Sequence, residues 1–537
     1  MNMITMKNMK NIRNILLIIV CWVLVVGCSD YLDVEPTNGI RTDNFYQTPS
    51  QADNALTGLY GTLKPVPKYL FAMSEIRSDN VWVLTDTKQN DYADVATFNA
   101  NGLLTDDIVK NCWADYFKVV AAANMLLAKI ENLEMDDAAK LQYMAEARFI
   151  RALAYFDLVR FFGRVPLTTT ALTTEEAFQL GQSEAKDVYE KLIVPDLQYA
   201  VEQLAETAFD YQNKIHTERV TKVAAKALLG KVYLTMAGFP LNDTSKKSLA
   251  TVLLKEVIDY ATLQGKYWAK TMTEWNNMWI HENDNKYFIF EIQYIASSGE
   301  GNPMVCLSVP SNPGTEWCAN NLVTGTHLYI EKQLQMHYIT KDPQTKEYLD
   351  LRVDGTMNLK ETVDEEGNVS TSTGNTFYVK FFENRIKRAK LGYSDMDASI
   401  VDRTYWPQNY PIIRLEDVML LYAECVGPTT DGYAMLNQIR ERAGMDPLED
   451  LTDEAFQQEV ANERRYELAE EGHRWFDLVR QNKYVETLQQ MFRDDDTTVD
   501  GTYAAFANRV TKDMYLYPIP QSQIEVRKDL YTQNLGY

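Results

Sequence analysis

Charged side chains are concentrated in one stretch, "NERRYELAEEGHRWFDLVR", residues 462–480. Carboxylates beside a histidine, His473 in this stretch, are the groups that general acid–base catalysis uses. The same residue types at helical spacing also form ion pairs. The spacing favours Glu467 with Arg474, Glu471 with Arg474, and Asp477 with Arg480. We predict that the stretch is structural and that it contains no catalytic residue.

Several aromatic residues stand among polar ones, which is a pattern typical of carbohydrate binding. Trp82 follows Asp79 and Asn80 in "RSDNVWVLTD", Trp317 lies in "SNPGTEWCANN", and Tyr294 ends "KYFIFEIQY". Sugar rings stack their apolar faces on Trp or Tyr, while their hydroxyls need polar partners. Asn, Asp, Ser and Gly suit exposed turns. We therefore predict that these five residues are ligand-binding and that the two tryptophans lie in loops.

Other tryptophans have different surroundings. Trp275 and Trp279 are four residues apart, which is a helical spacing and predicts core positions. Trp113 and Trp475 belong to predicted packed helices. Trp406 fits either a core or a surface position.

Metal and nucleotide motifs are absent from the sequence. The five histidines show no H-E-x-x-H spacing, and there is no G-x-S-x-G, P-loop or G-x-G-x-x-G. We predict no metal site and no cofactor. Residues 493–501, "RDDDTTVDG", are predicted to form a solvated loop, and a calcium site there is the weaker alternative. With 75 acidic residues, spacing cannot identify the carboxylate pair that a glycosidase needs.

The N-terminus has the features of a secretory leader. Lys7, Lys10 and Arg13 precede an apolar run, residues 15–26, which is shorter than the roughly 20 residues that span a membrane. The run ends in Val-Val-Gly-Cys, which resembles a bacterial lipobox. We predict that residues 1–27 are a signal peptide and that Cys28 is acylated.

The charge balance limits the classes of partner. A net charge of −22 argues against nucleic acid, because phosphate binding needs Lys and Arg. It also argues against attachment to anionic lipid through a basic patch. Membrane association would therefore come from acyl chains on Cys28. Cys306 and Cys318 could form a disulfide, or both could remain thiols.

Helical patterns dominate the sequence. Residues 104–265 and 415–480 read as consecutive helices, in which small residues alternate with large apolar ones, as in tetratricopeptide helix pairs. Residues 266–410 are rich in loop-forming residues, with a β-like segment at 286–294 and a hairpin turning near 364–368. The C-terminal tail reads as loop. We predict a mainly α fold in which residues 28–537 form a single domain.

Five segments together resemble the SusD/RagB family of Bacteroidetes outer-membrane lipoproteins. They are "EARFIRALAYFDLVRFFGRVPL", "NYPIIRLEDVMLLYAEC", "LNQIRERAGM", "NERRYELAEEGHRWFDLVR" and "YLYPIPQSQIEVRKDLYTQNLGY". They occur in the order typical of the family, and the lipobox followed by "SDYLDVEP" is similar to the family's usual start.

The resemblance implies a tetratricopeptide-containing helical scaffold with a loop-built face that binds glycan. It also implies a lipid anchor in the outer membrane, with the protein exposed at the cell surface, and a SusC-like TonB-dependent transporter as partner. Some relatives serve peptide importers, so peptide capture is an alternative. A surface glycan-degrading enzyme is a third possibility from a different class.

Overall fold

A computed structural model describes residues 45–83, 92–297, 299–309, 328–363, 369–372, 376–395, 406–494, 502–527 and 529–537. Residues 48–537 form one compact unit. In the described ranges, none of the helices has the length and apolarity needed to cross a membrane. The predicted signal peptide, Cys28 and Cys318 lie outside these ranges, so the predictions about them stay predictions.

Helices make up most of the unit, which confirms the predicted mainly α class. Those before residue 300 are α1 (Pro49–Gly61), α2 (Val66–Leu70), α3 (Ala93–Ala96), α4 (Ala100–Leu103), α5 (Asp107–Ile130), α6 (Asp137–Phe162), α7 (Thr174–Gln179), α8 (Ala185–Val188), α9 (Val194–Gln203), α10 (Lys222–Ala237), α11 (Lys246–Gln264) and α12 (Met272–Asn277). Short π-helical turns cover Phe71–Glu75 and Tyr189–Ile193, and a 3-10 turn covers His281–Asn283.

The C-terminal part continues the helical architecture. Its helices are α13 (Met304–Ser308), α14 (Lys332–Ile339), α15 (Val353–Thr356), α16 (Arg385–Lys390), α17 (Leu415–Val426), α18 (Thr430–Arg442), α19 (Asp453–Glu467), α20 (Arg474–Arg480), α21 (Tyr484–Asp494), α22 (Thr502–Phe506) and α23 (Gln521–Val526), with a 3-10 turn at Ala507–Arg509.

Four two-stranded antiparallel sheets connect these helices in the described ranges. Strand β1 (Val81–Val83) pairs with β5 (Leu328–Ile330), β2 (Val165–Pro166) with β3 (Gln182–Ser183), β4 (Phe290–Ile292) with β8 (Tyr410–Ile413), and β6 (Lys360–Val363) with β7 (Val369–Ser372). Both predicted β segments are confirmed, because β4 lies within residues 286–294 and β6 and β7 are the two strands of the hairpin.

The predicted helical region 104–265 is confirmed, and its small residues have the expected role. A Cβ at Gly230 of α10 would lie only 2.9 Å from two side-chain carbons of Leu254 on α11, so the two helices approach at that glycine. Helix α6 ends at Gly163, whose φ of 68° is a conformation that favours glycine and whose N–H donates to the Val159 carbonyl oxygen at 2.9 Å. Glycine therefore sets both a close helix contact and a helix end.

The core predictions for the tryptophans are confirmed. Trp275 and Trp279 are fully buried, with ring centroids 5.8 Å apart, and Trp113 and Trp475 are buried on their helices. Trp406, which the sequence left undecided, is also a core residue.

The prediction of a loop-like tail is wrong. Helix α21 buries Tyr484, Leu488, Met491 and Phe492, so an apolar stripe with helical spacing begins only four residues after α20. Helices α22 and α23 follow in the same tail. The prolines that suggested a loop lie between these helices. Residues 495–501 of the possible calcium loop lie outside the described ranges.

The charged stretch at 462–480 is structural as predicted, but its ion pairs differ from the predicted ones. Helix α19 ends at Glu467 and α20 begins at Arg474, so Glu467, Glu471 and Arg474 do not share one helix. Glu471 instead binds Arg414 at 2.6 Å. Of the predicted pairs, Asp477 with Arg480 is present, at 2.8 Å. The turn between the helices redirects the other side chains to distant segments.

Candidate functional site

Trp82 lies on a strand, so the prediction that it occupies a loop is wrong. It is the middle residue of β1, directly opposite Tyr329 of β5, and the two rings are 5.9 Å apart at an angle of 41°. Both aromatic residues are half-buried, whereas Val81 and Val83 on either side of Trp82 are buried. Because side chains alternate across a strand, the two valines fix the face on which the aromatic pair lies.

Tyr503 packs against the Trp82 ring and hydrogen-bonds to the backbone of β1. Its ring lies 5.6 Å from the Trp82 ring, and its hydroxyl both accepts from the Val83 N–H at 3.2 Å and donates to the Val83 carbonyl oxygen at 2.9 Å. Tyr503 is buried and packs against Phe492 and Phe506. The edge of β1 is therefore held by an aromatic cluster, which keeps the Trp82 ring in one position.

The exposed part of the Trp82 side chain is its ring and not its indole N–H. The Nε1 atom is buried and has no hydrogen-bond partner among the described residues. Trp82 and Tyr329 together can thus provide ring faces for stacking, which is one part of what sugar recognition needs.

Asp79 is placed next to Trp82 but is buried in an ion pair. Its two carboxylate oxygens accept from Arg474 Nε at 2.7 Å and from Arg474 Nη2 at 2.8 Å. Burial alone would raise the pKa of Asp79, but Arg465 and Arg474 hold it well below its usual range. The carboxylate is therefore ionised and used internally, so the structure contradicts the exposed position predicted for it.

Asn80 is also used internally. Its side-chain amide donates to Glu75 at 2.7 Å, and its side-chain oxygen accepts from Arg465 Nε at 3.0 Å. The backbone oxygen of Asn80 accepts from the Tyr378 hydroxyl at 2.8 Å. Asn80 is 1% exposed. Asp79 and Asn80 thus anchor the segment that leads into β1, and a role in positioning Trp82 replaces the predicted exposed contact with a ligand.

The chain before β1 is docked on the charged stretch. Glu75 accepts from the backbone N–H of Gly472 at 2.8 Å and of His473 at 3.1 Å. Gly472 has a φ of 77°, and a Cβ there would lie 2.5 Å from the Cβ of Leu70, so this close approach requires glycine. The family-typical segment at 462–480 therefore holds the strand that carries Trp82.

Tyr294 lies beside a different sheet, just after β4. Its hydroxyl donates to the Lys64 carbonyl oxygen at 2.6 Å, and its N–H donates to the Asn409 side-chain oxygen at 2.9 Å. The side chain is 6% exposed. The structure thus contradicts the exposure that a stacking role would require, and it explains Tyr294 as a core residue.

Trp317 lies outside the described residues, so its predicted role stays a prediction.

Among the described residues, one group has the ligand atoms of a metal site. His281, Glu282 and Glu383 place their ligand atoms within 4.8 Å of one another. The Arg388 guanidinium already donates to Glu282 at 2.6 Å and also contacts Glu383. Because this cation already occupies oxygens of both carboxylates, we do not assign a metal ion to the group.

Asp284 and Glu291 are two interacting carboxylates near β4. Burial, with the neighbouring Glu291 charge, raises the pKa of Asp284 to about 9, and burial raises the pKa of Glu291 to about 8. A glycosidase separates the pKa values of its acid and its base, whereas burial raises the pKa of both groups here, so this pair is not assigned that role.

Tyr329 and Tyr503 are the site residues that the sequence analysis did not identify. Tyr329 stands between Leu328 and Ile330, an apolar–aromatic–apolar pattern that matches Val81–Trp82–Val83. Three residues are too few for a convincing alternation, and pairing across 247 positions is not visible in local spacing. Tyr503 lies in the tail that was predicted to be a loop.

Comparisons with known proteins match most of this chain. A family model described as "SusD family" matches residues 324–537, and one described as "Starch-binding associating with outer membrane" matches residues 30–234. The SusD-like protein P38 of Formosa agariphila is 26% identical over 521 residues, covering 90% of this chain and 94% of that protein.

Solved structures share the fold. A SusD superfamily protein from Parabacteroides distasonis superposes with a TM-score of 0.69 at 25% identity, covering 90% of this chain and 99% of that one. A laminarin-binding SusD-like protein gives a TM-score of 0.69 at 24% identity, with coverage of 92% and 100%. With the two family models matching most of its length, the chain belongs to the SusD/RagB family.

Proposed function

We propose that this protein is a lipoprotein of the outer membrane that binds a glycan at the cell surface and delivers it to a SusC-like TonB-dependent transporter. The observation that supports this most directly is the half-exposed aromatic pair of Trp82 and Tyr329. In support, a relative of the same fold is named for laminarin binding, and another is named a surface glycan-binding protein from Bacteroides uniformis. Capture is non-covalent in this proposal.

Binding and degradation are separated by one experiment. The purified protein is run through native gels that contain laminarin, soluble starch or other polysaccharides, and the same mixtures are assayed for new reducing ends. We expect retarded migration in at least one polysaccharide without new reducing ends. Release of reducing ends would favour a glycan-degrading enzyme. Binding of peptides, measured by calorimetry, with no retention in any polysaccharide would favour peptide capture.

The lipid anchor gives a second prediction. If Cys28 is acylated, Cys28→Ala abolishes labelling by a fatty-acid analogue and moves the protein from the membrane fraction to the soluble fraction. Stable anchoring takes more than one acyl chain, and in this proposal all of the chains are attached to Cys28, so loss of this cysteine should remove the anchor. Cys21→Ala, in the same leader, is the matched control and should leave labelling unchanged. Labelling that persists in Cys28→Ala would refute the anchor.

A further inference from the structure

A cavity unrelated to Trp82 lies between helix α5 and the C-terminal tail. Its volume is about 380 Å³, within the usual range for small-molecule sites. The apolar side chains that line it are Trp113, Phe117, Met125, Leu172, Leu180 and Tyr531. We refer to it as the C-terminal cavity.

One cation faces this apolar space. Arg527 lines the C-terminal cavity, and its Nη1 donates to the Tyr531 hydroxyl at 2.6 Å. Its guanidinium lies 5.5 Å from the centre of the Phe178 ring and 5.1 Å from that of Tyr531. These contacts hold the guanidinium in place without neutralising it.

Arg527 also has unused hydrogen-bonding capacity. Its Nε is buried without a partner, and no carboxylate within the described part of the chain pairs with its charge. Asn124, which also lines the cavity, differs because its side-chain amide is already bonded to Thr168, Thr170 and Arg151.

We propose that the C-terminal cavity binds a small apolar carboxylate, with its ring or alkyl chain among the apolar side chains and its carboxylate on Arg527. An apolar volume next to an unpaired guanidinium matches both halves of such a ligand. Carboxylate is the anion that the planar guanidinium fork fits, and the hydrogen bonds are charge-assisted. This site is distinct from the proposed glycan site at Trp82 and Tyr329, and the proposal does not depend on glycan binding.

Calorimetry on the full chain tests the proposal with two probes, 3-phenylpropanoate and octanoate, each compared with its neutral amide. We expect at least one carboxylate to bind with a stoichiometry of one and roughly tenfold or more tightly than its amide, because the amide cannot form the charge-assisted pair. The two probes distinguish an aromatic from an aliphatic preference. Arg527→Gln should remove the advantage of the carboxylate over the amide.

A second variant tests the cavity itself. Ala121 lines the cavity from an exposed position of α5, so Ala121→Trp should fill the space while the protein still folds, and it should abolish binding of acid and amide alike. Retention in polysaccharide gels should be unchanged in both variants, which separates this site from the proposed glycan site.

Three outcomes would overturn the proposal. The first is that neither carboxylate binds the wild-type protein. The second is that binding is unchanged in Arg527→Gln or in Ala121→Trp. The third is that the wild-type protein self-associates in sedimentation experiments and Ala121→Trp does not, which would assign the cavity to a second copy of the chain.

Discussion

Glu467→Ala lowers the free energy of unfolding by roughly 3–5 kcal/mol, because it leaves several buried arginines without their shared partner. Glu467 is fully buried. One of its oxygens accepts from Arg414 at 2.8 Å, from Arg442 at 2.7 Å and from the Trp275 indole at 2.9 Å, and the other accepts from Arg352 at 2.8 Å. Denaturant unfolding followed by circular dichroism measures the loss.

A matched glutamate controls for the loss of one negative charge. Glu441 is exposed near the end of α18, and Glu441→Ala should change the stability by no more than about 0.5 kcal/mol. Glu467→Gln keeps the side-chain volume, so a loss close to that of alanine would show that charge matters more than packing. A loss of less than about 1 kcal/mol in Glu467→Ala would contradict the role assigned to this cluster.

The contribution of Glu467 also depends on pH. Although burial opposes ionisation, Arg442, Arg414 and Arg352 hold the pKa of Glu467 well below its usual range. A carboxylate with a lowered native pKa stabilises the fold fully above its unfolded pKa of about 4.3, and this stabilisation is lost as the pH falls toward the native value. The stability difference between wild type and Glu467→Ala should therefore shrink below about pH 4.

Trp82→Ala weakens glycan binding by roughly 5- to 100-fold. Removing one stacking ring from a shallow sugar site costs on the order of 1–3 kcal/mol, and each 1.4 kcal/mol is tenfold in affinity. The same change is expected for Trp317→Ala. Calorimetry with the polysaccharide retained in the gel experiment, laminarin being the first choice, measures the affinities.

Controls separate a lost stacking ring from a damaged fold. Trp82→Phe keeps a smaller ring for stacking, so its affinity should fall between those of wild type and alanine. Phe178 is an exposed aromatic residue remote in sequence, and Phe178→Ala should leave the affinity unchanged. Because Trp82 is half-buried and packs on Tyr329, a modest decrease in melting temperature is expected with the alanine variant. Unaltered affinity, or complete unfolding, would show that Trp82 is not a binding residue.

Local sequence patterns predicted the helical scaffold and much of the core. The close contact at Gly230 and the burial of Trp275 follow from helical spacing, which repeats every 3.6 residues, whereas Trp279 lies beyond the end of α12 and is buried by tertiary contacts. The apolar residues of α21 have the same spacing, so this helix too was readable from the sequence. Periodicity reports which residues share a face, and it does so before any tertiary contact is known.

The interpretation of the charged stretch at 462–480 needed both the sequence and the tertiary structure. Residue types at 462–480 favoured ion pairs over catalysis, and the structure agrees. Which residues pair was not readable from spacing, because Glu471 binds Arg414, 57 positions away, and Arg474 binds Asp79, 395 positions away. A turn of a few residues between α19 and α20 was enough to separate the residues that one continuous helix would have paired across it, whereas the pair of Asp477 and Arg480 within α20 is kept.

By itself, the sequence determined the fold class, the family and the neighbourhood of the aromatic site. Only the tertiary structure decided that Trp82 stands on a strand beside Tyr329 and Tyr503, and that Asp79 and Asn80 face inward to arginines. The physical reason is that turn-forming residue types describe local backbone preference. Exposure of a polar side chain depends on whether a distant charge is present to replace water, and no local pattern contains that information.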